Sequence, residues 1–154
     1  ANVVTSYKKA GYVDSVLKHK VAYIENYGVR SRFWNQYDED IREMIRPQLK
    51  DFTSELAQYY HSKGQKTKSL KKKFNHLLAA GRWYQEYIDT FPHDNRVGEM
   101  YFLKGEALYD VGRFDEALLA YISCGFDTPD HKESEESGFA ALVTYNRIIA
   151  KAKP

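Results

Sequence analysis

Side chains that could do acid–base, nucleophilic or metal chemistry are scattered along this chain of 154 residues. Its five histidines show no cluster, and its one cysteine, Cys124, has no base nearby in sequence to activate the thiol. There is no Gly-rich phosphate loop, no His-Glu-x-x-His, no cysteine pair and no Gly-x-Ser-x-Gly turn. We therefore predict a protein that is not an enzyme, with no catalytic residue, no metal site and no cofactor.

The histidines that stand beside polar or aromatic residues have simple structural explanations. His93-Asp94 and Asp130-His131 each follow a proline, where polar linker residues are expected. A metal site at either pair is the less favoured alternative. His61 lies near a predicted helix end, so we expect it to pack or to cap that helix.

Lysines are concentrated in one short stretch, although the formal net charge of the chain is only +2. The interpretation that we favour is a solvated loop and helix start. The alternative is a basic patch that binds an acidic protein, phosphate or anionic lipid headgroups. Arginines and interleaved aromatics are missing, so we expect no nucleic-acid partner. The candidate patch consists of Lys63, Lys66, Lys68, Lys71, Lys72 and Lys73.

Residues 101–129 contain a regular pattern of large, small and turn-forming residues. Gly105 and Ala117 are small where two helices would approach to about 8–10 Å. Gly112 suits the left-handed end of a first helix, and acidic residues then begin a second. Lys104 stands where an apolar residue is expected, and its stem could lie along the helices with its ammonium in water. The landmarks in chain order are Tyr101, Gly105, Leu108, Gly112, Phe114, Ala117, Tyr121 and Pro129.

A weaker copy of this pattern lies 37 residues upstream, because Leu77, Ala80, Tyr84, Tyr87 and Pro92 precede Phe114, Ala117, Tyr121, Cys124 and Pro129 by that interval. The pattern resembles the tetratricopeptide repeat, a helix pair of about 34 residues. Residues 83–92 resemble the second helix of repeats in bacterial Tol-Pal-associated and outer-membrane-assembly lipoproteins. Gly64 departs from the pattern, which implies an elongated or interrupted helix pair there.

The resemblance covers about residues 55–150. It implies an all-α fold in which antiparallel helix pairs stack as an α-α superhelix, or solenoid. It also implies a bacterial protein of the periplasm or envelope, with a cytoplasmic location as the alternative.

The remaining sequence is also predicted to be helical, and no alternating stretch suggests strands. One amphipathic helix should end at Tyr27-Gly28. A second run should begin near Ser31 and reach about Lys63, with either a kink or a fresh start at Pro47. A last helix is predicted over residues 134–151, and it could either cap the stack or await a partner helix. Its apolar positions are Phe139, Leu142, Val143, Ile148 and Ile149.

We predict one all-helical domain over residues 1–154. It would comprise N-terminal helices (1–62), a degenerate repeat (63–94), a clear repeat (95–130) and a terminal helix (131–154). The chain lacks an initiator Met and its repeats begin in mid-pattern, so we expect a domain excised from a longer protein. No apolar run reaches transmembrane length. Exposed end helices could drive self-association.

The first helix of a tetratricopeptide repeat normally lines the concave side of the stack. Acidic and aromatic residues on that side would favour a basic or amphipathic peptide, and the Lys and Asn clamp for acidic C-terminal tails is not reproduced. The predicted function is a protein–protein interaction or scaffold module. The alternative is a structural spacer, in which the same residues pack against a neighbouring repeat. The candidate partner-binding residues are Glu99, Phe102, Leu103, Glu106, Tyr109 and Asp110.

Overall fold

The computed structural model describes the backbone of residues 3–128 and 132–154, and the side chains from residue 9 onward in those ranges. All regular elements of this part are helices, so the all-α prediction is confirmed. A short 3₁₀ helix, Trp34–Gln36, precedes the second α-helix, and the fifth continues into a π-helical turn, Ser123–Asp127. The α-helices are α1 (Val3–Tyr27), α2 (Glu39–Lys66), α3 (Leu70–Thr90), α4 (Val97–Asp110), α5 (Phe114–Ile122) and α6 (Ser134–Ala152). No helix in the described ranges has both the length and the apolar character needed to cross a membrane.

The helix α2 begins later than the sequence pattern predicted. The Asp38 carboxylate accepts a hydrogen bond from the amide of Ile41 at 3.0 Å, which satisfies one of the free N–H groups at the helix start. Residues 28–37 form turns and the 3₁₀ helix instead. Pro47 lies inside α2, which continues through it to Lys66, so the fresh start considered at this residue does not occur.

The chain divides into two compact units, one ending at Leu56 and one beginning at Ala57. In the first unit, the ring of Tyr23 on α1 meets that of Phe52 on α2, with 5.2 Å between centroids. Lys20 pairs with Glu55 at 2.6 Å. The contact that comes earlier on α1 comes later on α2, so α1 and this part of α2 are antiparallel. The boundary falls inside α2, and the organisation as one domain with four segments stays a prediction.

In the second unit, the end of α2 packs antiparallel against α3. Gly64 approaches Leu77, and His61 Nδ1 lies 2.8 Å from the hydroxyl of Tyr84. A Cβ atom on Gly64 would lie 2.6 Å from the Leu77 side chain, so glycine permits this close approach. Both helices are continuous at this contact. The sequence implied either an elongated or an interrupted helix pair at Gly64, and the interrupted pair does not occur.

The next pair, α3 and α4, is antiparallel as well, because Gly81 lies near Leu108 whereas Gln85 contacts Lys104. The Lys104 ammonium donates a hydrogen bond to Gln85 Oε1, and burial lowers the pKa of Lys104. A half-buried amide oxygen thus holds the ammonium, which is partly buried instead of lying wholly in water.

The pair α4 and α5 follows the sequence pattern closely. Gly112 has a φ of 78°, the left-handed conformation predicted for the end of the first helix. Tyr121 packs over Gly105, where an added Cβ would lie 2.6 Å from the ring. Among the described residues matched at the 37-residue interval, all are buried except Phe114, which is half-buried, and Pro92, which is exposed. Pro129, Asp130 and His131 lie outside the described residues.

The helix α6 lies within one residue of the predicted bounds, and four of its five predicted apolar positions are exposed. Phe139 is 70% and Leu142 64% exposed, whereas Ser137, Ala141 and Thr144 are buried. A Cβ on Gly125 in the π-helical turn would lie only 3.3 Å from the amide nitrogen of Gly138. Because α6 approaches its neighbour this closely, its small residues face inward and its large apolar residues face outward.

Candidate functional site

A groove of about 320 Å³ lies between α4, α5 and α6. Four of its residues come from α4, one from α5 and five from α6. The lining residues are Phe102, Glu106, Tyr109, Asp110, Tyr121, Glu136, Phe139, Ala140, Val143 and Thr144. The groove therefore combines the first helix of the clear repeat pattern with the terminal helix.

The helix α4 contributes Phe102, Glu106, Tyr109 and Asp110, which share one face of the helix because they are spaced by three, four or one residue. These are four of the six residues predicted for the partner-binding side. Glu99 and Leu103, the other two, do not line the groove. Glu99 instead pairs with Arg96, with 3.0 Å between Oε2 and Nε, and Leu103 is half-buried.

The contribution of α6 was missed from the sequence. Glu136, Phe139 and Val143 recur at steps of three and four residues, which places them on one face. That spacing is a signal available in the sequence, but the prediction used the apolar residues of α6 only as evidence for a helix. Only the packing of α6 against α5 shows that this face lines a groove.

Three carboxylates border the groove, and no lysine, arginine or histidine is among its lining residues. The Tyr121 hydroxyl donates a short hydrogen bond to Glu106 Oε1. Burial raises the pKa of Tyr121, and the bonded Glu106 carboxylate raises it further. The phenol therefore stays protonated near neutral pH and donates to Glu106, which holds this carboxylate in the wall of the groove. Asp110 is exposed, as is Glu136, and both can meet a cation from solvent.

The apolar part of the groove has a fixed and an exposed component. The rings of Phe102 and Tyr121 lie 6.1 Å apart, and those of Tyr109 and Phe114 lie 5.1 Å apart. Phe139 is the most exposed lining aromatic, with 70% of its surface free. The groove can thus accept an apolar side chain that has positive charges beside it.

The residues considered for chemistry elsewhere are mostly packed. His61 is buried against Tyr84, and burial lowers its pKa despite the opposing influence of Asp110. The packing alternative for His61 is therefore confirmed. Cys124 is completely buried, and burial raises the pKa of its thiol, which leaves little reactive thiolate. Asp94 accepts hydrogen bonds from the Tyr87 hydroxyl and the Arg96 amide in the turn before α4. In residues 3–128 and 132–154, no group of three His, Cys, Asp or Glu side chains could hold a metal ion.

The six lysines of the candidate basic patch surround the connection between α2 and α3. Lys63 and Lys66 lie in the last turn of α2, Lys68 in the connection, and residues 71–73 in the first turn of α3. Five of the six are exposed, and Lys73 is half-buried.

Comparison with models of known protein families, with curated proteins and with solved structures finds no match for this chain.

Proposed function

We propose that this chain is a protein–protein interaction module built from tetratricopeptide-like helix pairs, and that its α4–α6 groove binds a basic, amphipathic segment of a partner protein. The observation that carries the proposal is the lining of this groove. It sets three carboxylates beside exposed apolar side chains and contains no positive side chain.

The repeat assignment is supported by residues at equivalent positions. Ala80 and Ala117 are completely buried, and Tyr84 and Tyr121, four residues later in each segment, are almost so. The close contact of Gly105 with Tyr121 and the left-handed Gly112 suit a tight helix pair. A stack of such pairs presents one helix of each pair along a binding face.

The dimensions of the groove favour a short anchor. Its volume of about 320 Å³ is near the lower end of small-ligand pockets, enough for one or two large side chains. An amphipathic helix could place an apolar residue against Phe139 and a lysine one turn away against Asp110 or Glu136. An acidic peptide would meet like charges instead.

The test uses two labelled amphipathic peptides with the same apolar positions and either lysine or glutamate at the polar positions. Fluorescence anisotropy should show binding of the lysine peptide, weakened by salt, and none of the glutamate peptide. Equal binding of both peptides would contradict the proposal. Binding of neither would favour the spacer alternative.

Substitutions of two exposed residues on α6, one inside the groove and one outside it, test whether the peptide binds in the groove. Phe139→Ala should weaken binding of the lysine peptide by about tenfold or more, as loss of an anchor does. Leu142→Ala, 64% exposed and not in the groove, should leave it unchanged. Asp110→Asn with Glu136→Gln should reduce both affinity and salt dependence. Phe102 and Glu106 are less suitable because both contact Tyr121.

A further inference from the structure

The charges of the second unit are strongly segregated along the chain. Residues 57–85 contain seven lysines or arginines and no aspartate or glutamate. Residues 86–154 contain 13 acidic and seven basic residues. Residues 57–85 therefore have a net charge of +7, although the net charge of the whole chain is only +2. Six of these seven charges are the lysines of the candidate basic patch.

The patch lies at the end of an antiparallel helix pair. The helix α2 ends at Lys66 and α3 begins at Leu70, so the three residues between them turn the chain. In the described part of the chain, none of the six ammonium groups pairs with a carboxylate. No carboxylate of the described residues therefore neutralises these charges, and together they make the end of the α2–α3 pair positive.

An apolar side chain projects from the middle of this patch. Leu70, the first residue of α3, is 84% exposed, the largest exposed fraction among the large apolar residues described. Phe74 follows one turn later and is 40% exposed. Leu70 stands directly after Ser69, which caps α3, and directly before Lys71. Leucine and lysines thus face solvent together.

The three lysines in the first turn of α3 oppose the helix dipole. The amino end of a helix carries partial positive charge and favours acidic residues, but the first turn of α3 contains none. An anionic surface held against this end would relieve both the dipole interaction and the repulsion among the lysines. The arrangement is unfavourable for α3 alone and favourable for a bound anionic partner.

We propose that the candidate basic patch docks on an anionic lipid bilayer, with the lysines at the headgroups and Leu70 inserted between them. Clusters of four to eight basic residues are attracted to anionic leaflets through surface potential, which requires no fixed pairing geometry. An exposed apolar residue among them adds insertion at the headgroup boundary. Protein interfaces, by contrast, favour arginine and aromatics and are depleted in lysine. Nucleic-acid sites favour arginine for the same planar contacts.

The test is sedimentation of the full chain with vesicles of phosphatidylcholine alone or with one-third phosphatidylglycerol. Binding is expected only to the anionic vesicles and should weaken as salt is added. Each lysine at an anionic surface contributes about fivefold. The variant Lys68→Gln/Lys71→Gln/Lys72→Gln should therefore bind about a hundredfold more weakly. The matched control Lys9→Gln/Lys132→Gln/Lys153→Gln removes the same charge from exposed sites elsewhere and should bind as the wild type does.

Two further arms separate a bilayer from other anions. Leu70→Ser should weaken vesicle binding by about tenfold, because the inserted leucine is lost. Inorganic phosphate should compete no better than chloride at equal ionic strength. The proposal is overturned if neutral vesicles bind equally, if the control triple variant loses as much, or if no vesicle binds. Binding of soluble polyglutamate or duplex DNA in preference to anionic vesicles would also overturn it, in favour of an acidic protein or a nucleic acid.

Discussion

Gly105 and Gly81 are both buried glycines inside helices, but they leave different amounts of space for a side chain. An added Cβ on Gly105 would lie 2.6 Å from Cε1 of Tyr121, a distance that atoms do not tolerate. On Gly81 the nearest atom would be Cδ2 of Leu108 at 3.5 Å, an ordinary contact. The same substitution should therefore have opposite effects at the two positions.

We expect Gly105→Ala to lower the free energy of unfolding by about 1–3 kcal/mol, because the ring of Tyr121 must move and its bond to Glu106 is strained. Gly81→Ala should raise it by about 0.5–1 kcal/mol, since alanine favours the helix. Urea denaturation followed by circular dichroism measures both. Equal effects of the two substitutions would show that the close packing at Tyr121 is not what requires glycine at residue 105.

Single residues with strong local preferences could be predicted from the sequence. The left-handed conformation of Gly112 follows from its position between two helical patterns. Burial of Cys124 follows from its repeat position, which usually holds a small residue. Lys104 was the exception, because the amide oxygen of Gln85 that holds its ammonium comes from the preceding helix. A contact between residues 19 positions apart has no trace in the local pattern.

At the scale of helices, type and bounds were easier to predict than orientation. The bounds of α6 follow from its periodicity and its charged ends. Its inward face does not, because either the large or the small residues could pack against α5. In the structure the small residues of α6 face inward, where Gly125 and Gly138 approach closely. The larger residues on the other face are then free to line the groove. The delayed start of α2 likewise depends on the cap at Asp38.

At the amino end of α3, Lys72 should lower the stability of the helix and favour the proposed contact with an anionic bilayer. The Ser69 hydroxyl accepts from the amide of Lys72, so residue 72 stands where an acidic residue would complete a capping box. Lys72→Glu should raise the free energy of unfolding by about 0.5–1 kcal/mol through the helix dipole. The same substitution should weaken binding to anionic vesicles. Urea denaturation and vesicle sedimentation measure the two effects.

The carboxyl end of α6 supplies the opposite control. Lys151 lies in the last turn of this helix, with its ammonium 5.3 Å from the centre of the Phe114 ring. Lys151→Glu should lower the free energy of unfolding by about 0.5–1.5 kcal/mol, through the dipole and the lost cation–π contact. If Lys72→Glu were also destabilising, the dipole argument for the lysines of α3 would fail.

Across the whole molecule, acid should act on the two compact units at different pH. In the second unit, burial lowers the pKa of His61 below its ordinary 6.5. The unfolded chain then binds a proton that the folded chain does not, and stability falls as the pH drops below 6.5. In the first unit, the Arg46 guanidinium lowers the pKa of Glu39 below its ordinary 4.5. That contribution is complete above pH 4.5 and is lost only below it.

Each unit contains one of the two tryptophans, Trp34 in the first and Trp83 in the second. In Trp34→Phe, fluorescence of Trp83 should report a urea transition that moves to lower urea from pH 6.5 downward. In Trp83→Phe, the urea midpoint of the transition reported by Trp34 should stay constant until the pH approaches 4.5. His61→Gln should remove the dependence between pH 7 and 5.5, whereas His93→Gln, at an exposed position, should leave it unchanged. A Trp83 transition that is constant over this interval would mean that His61 is protonated equally in the folded and unfolded chain.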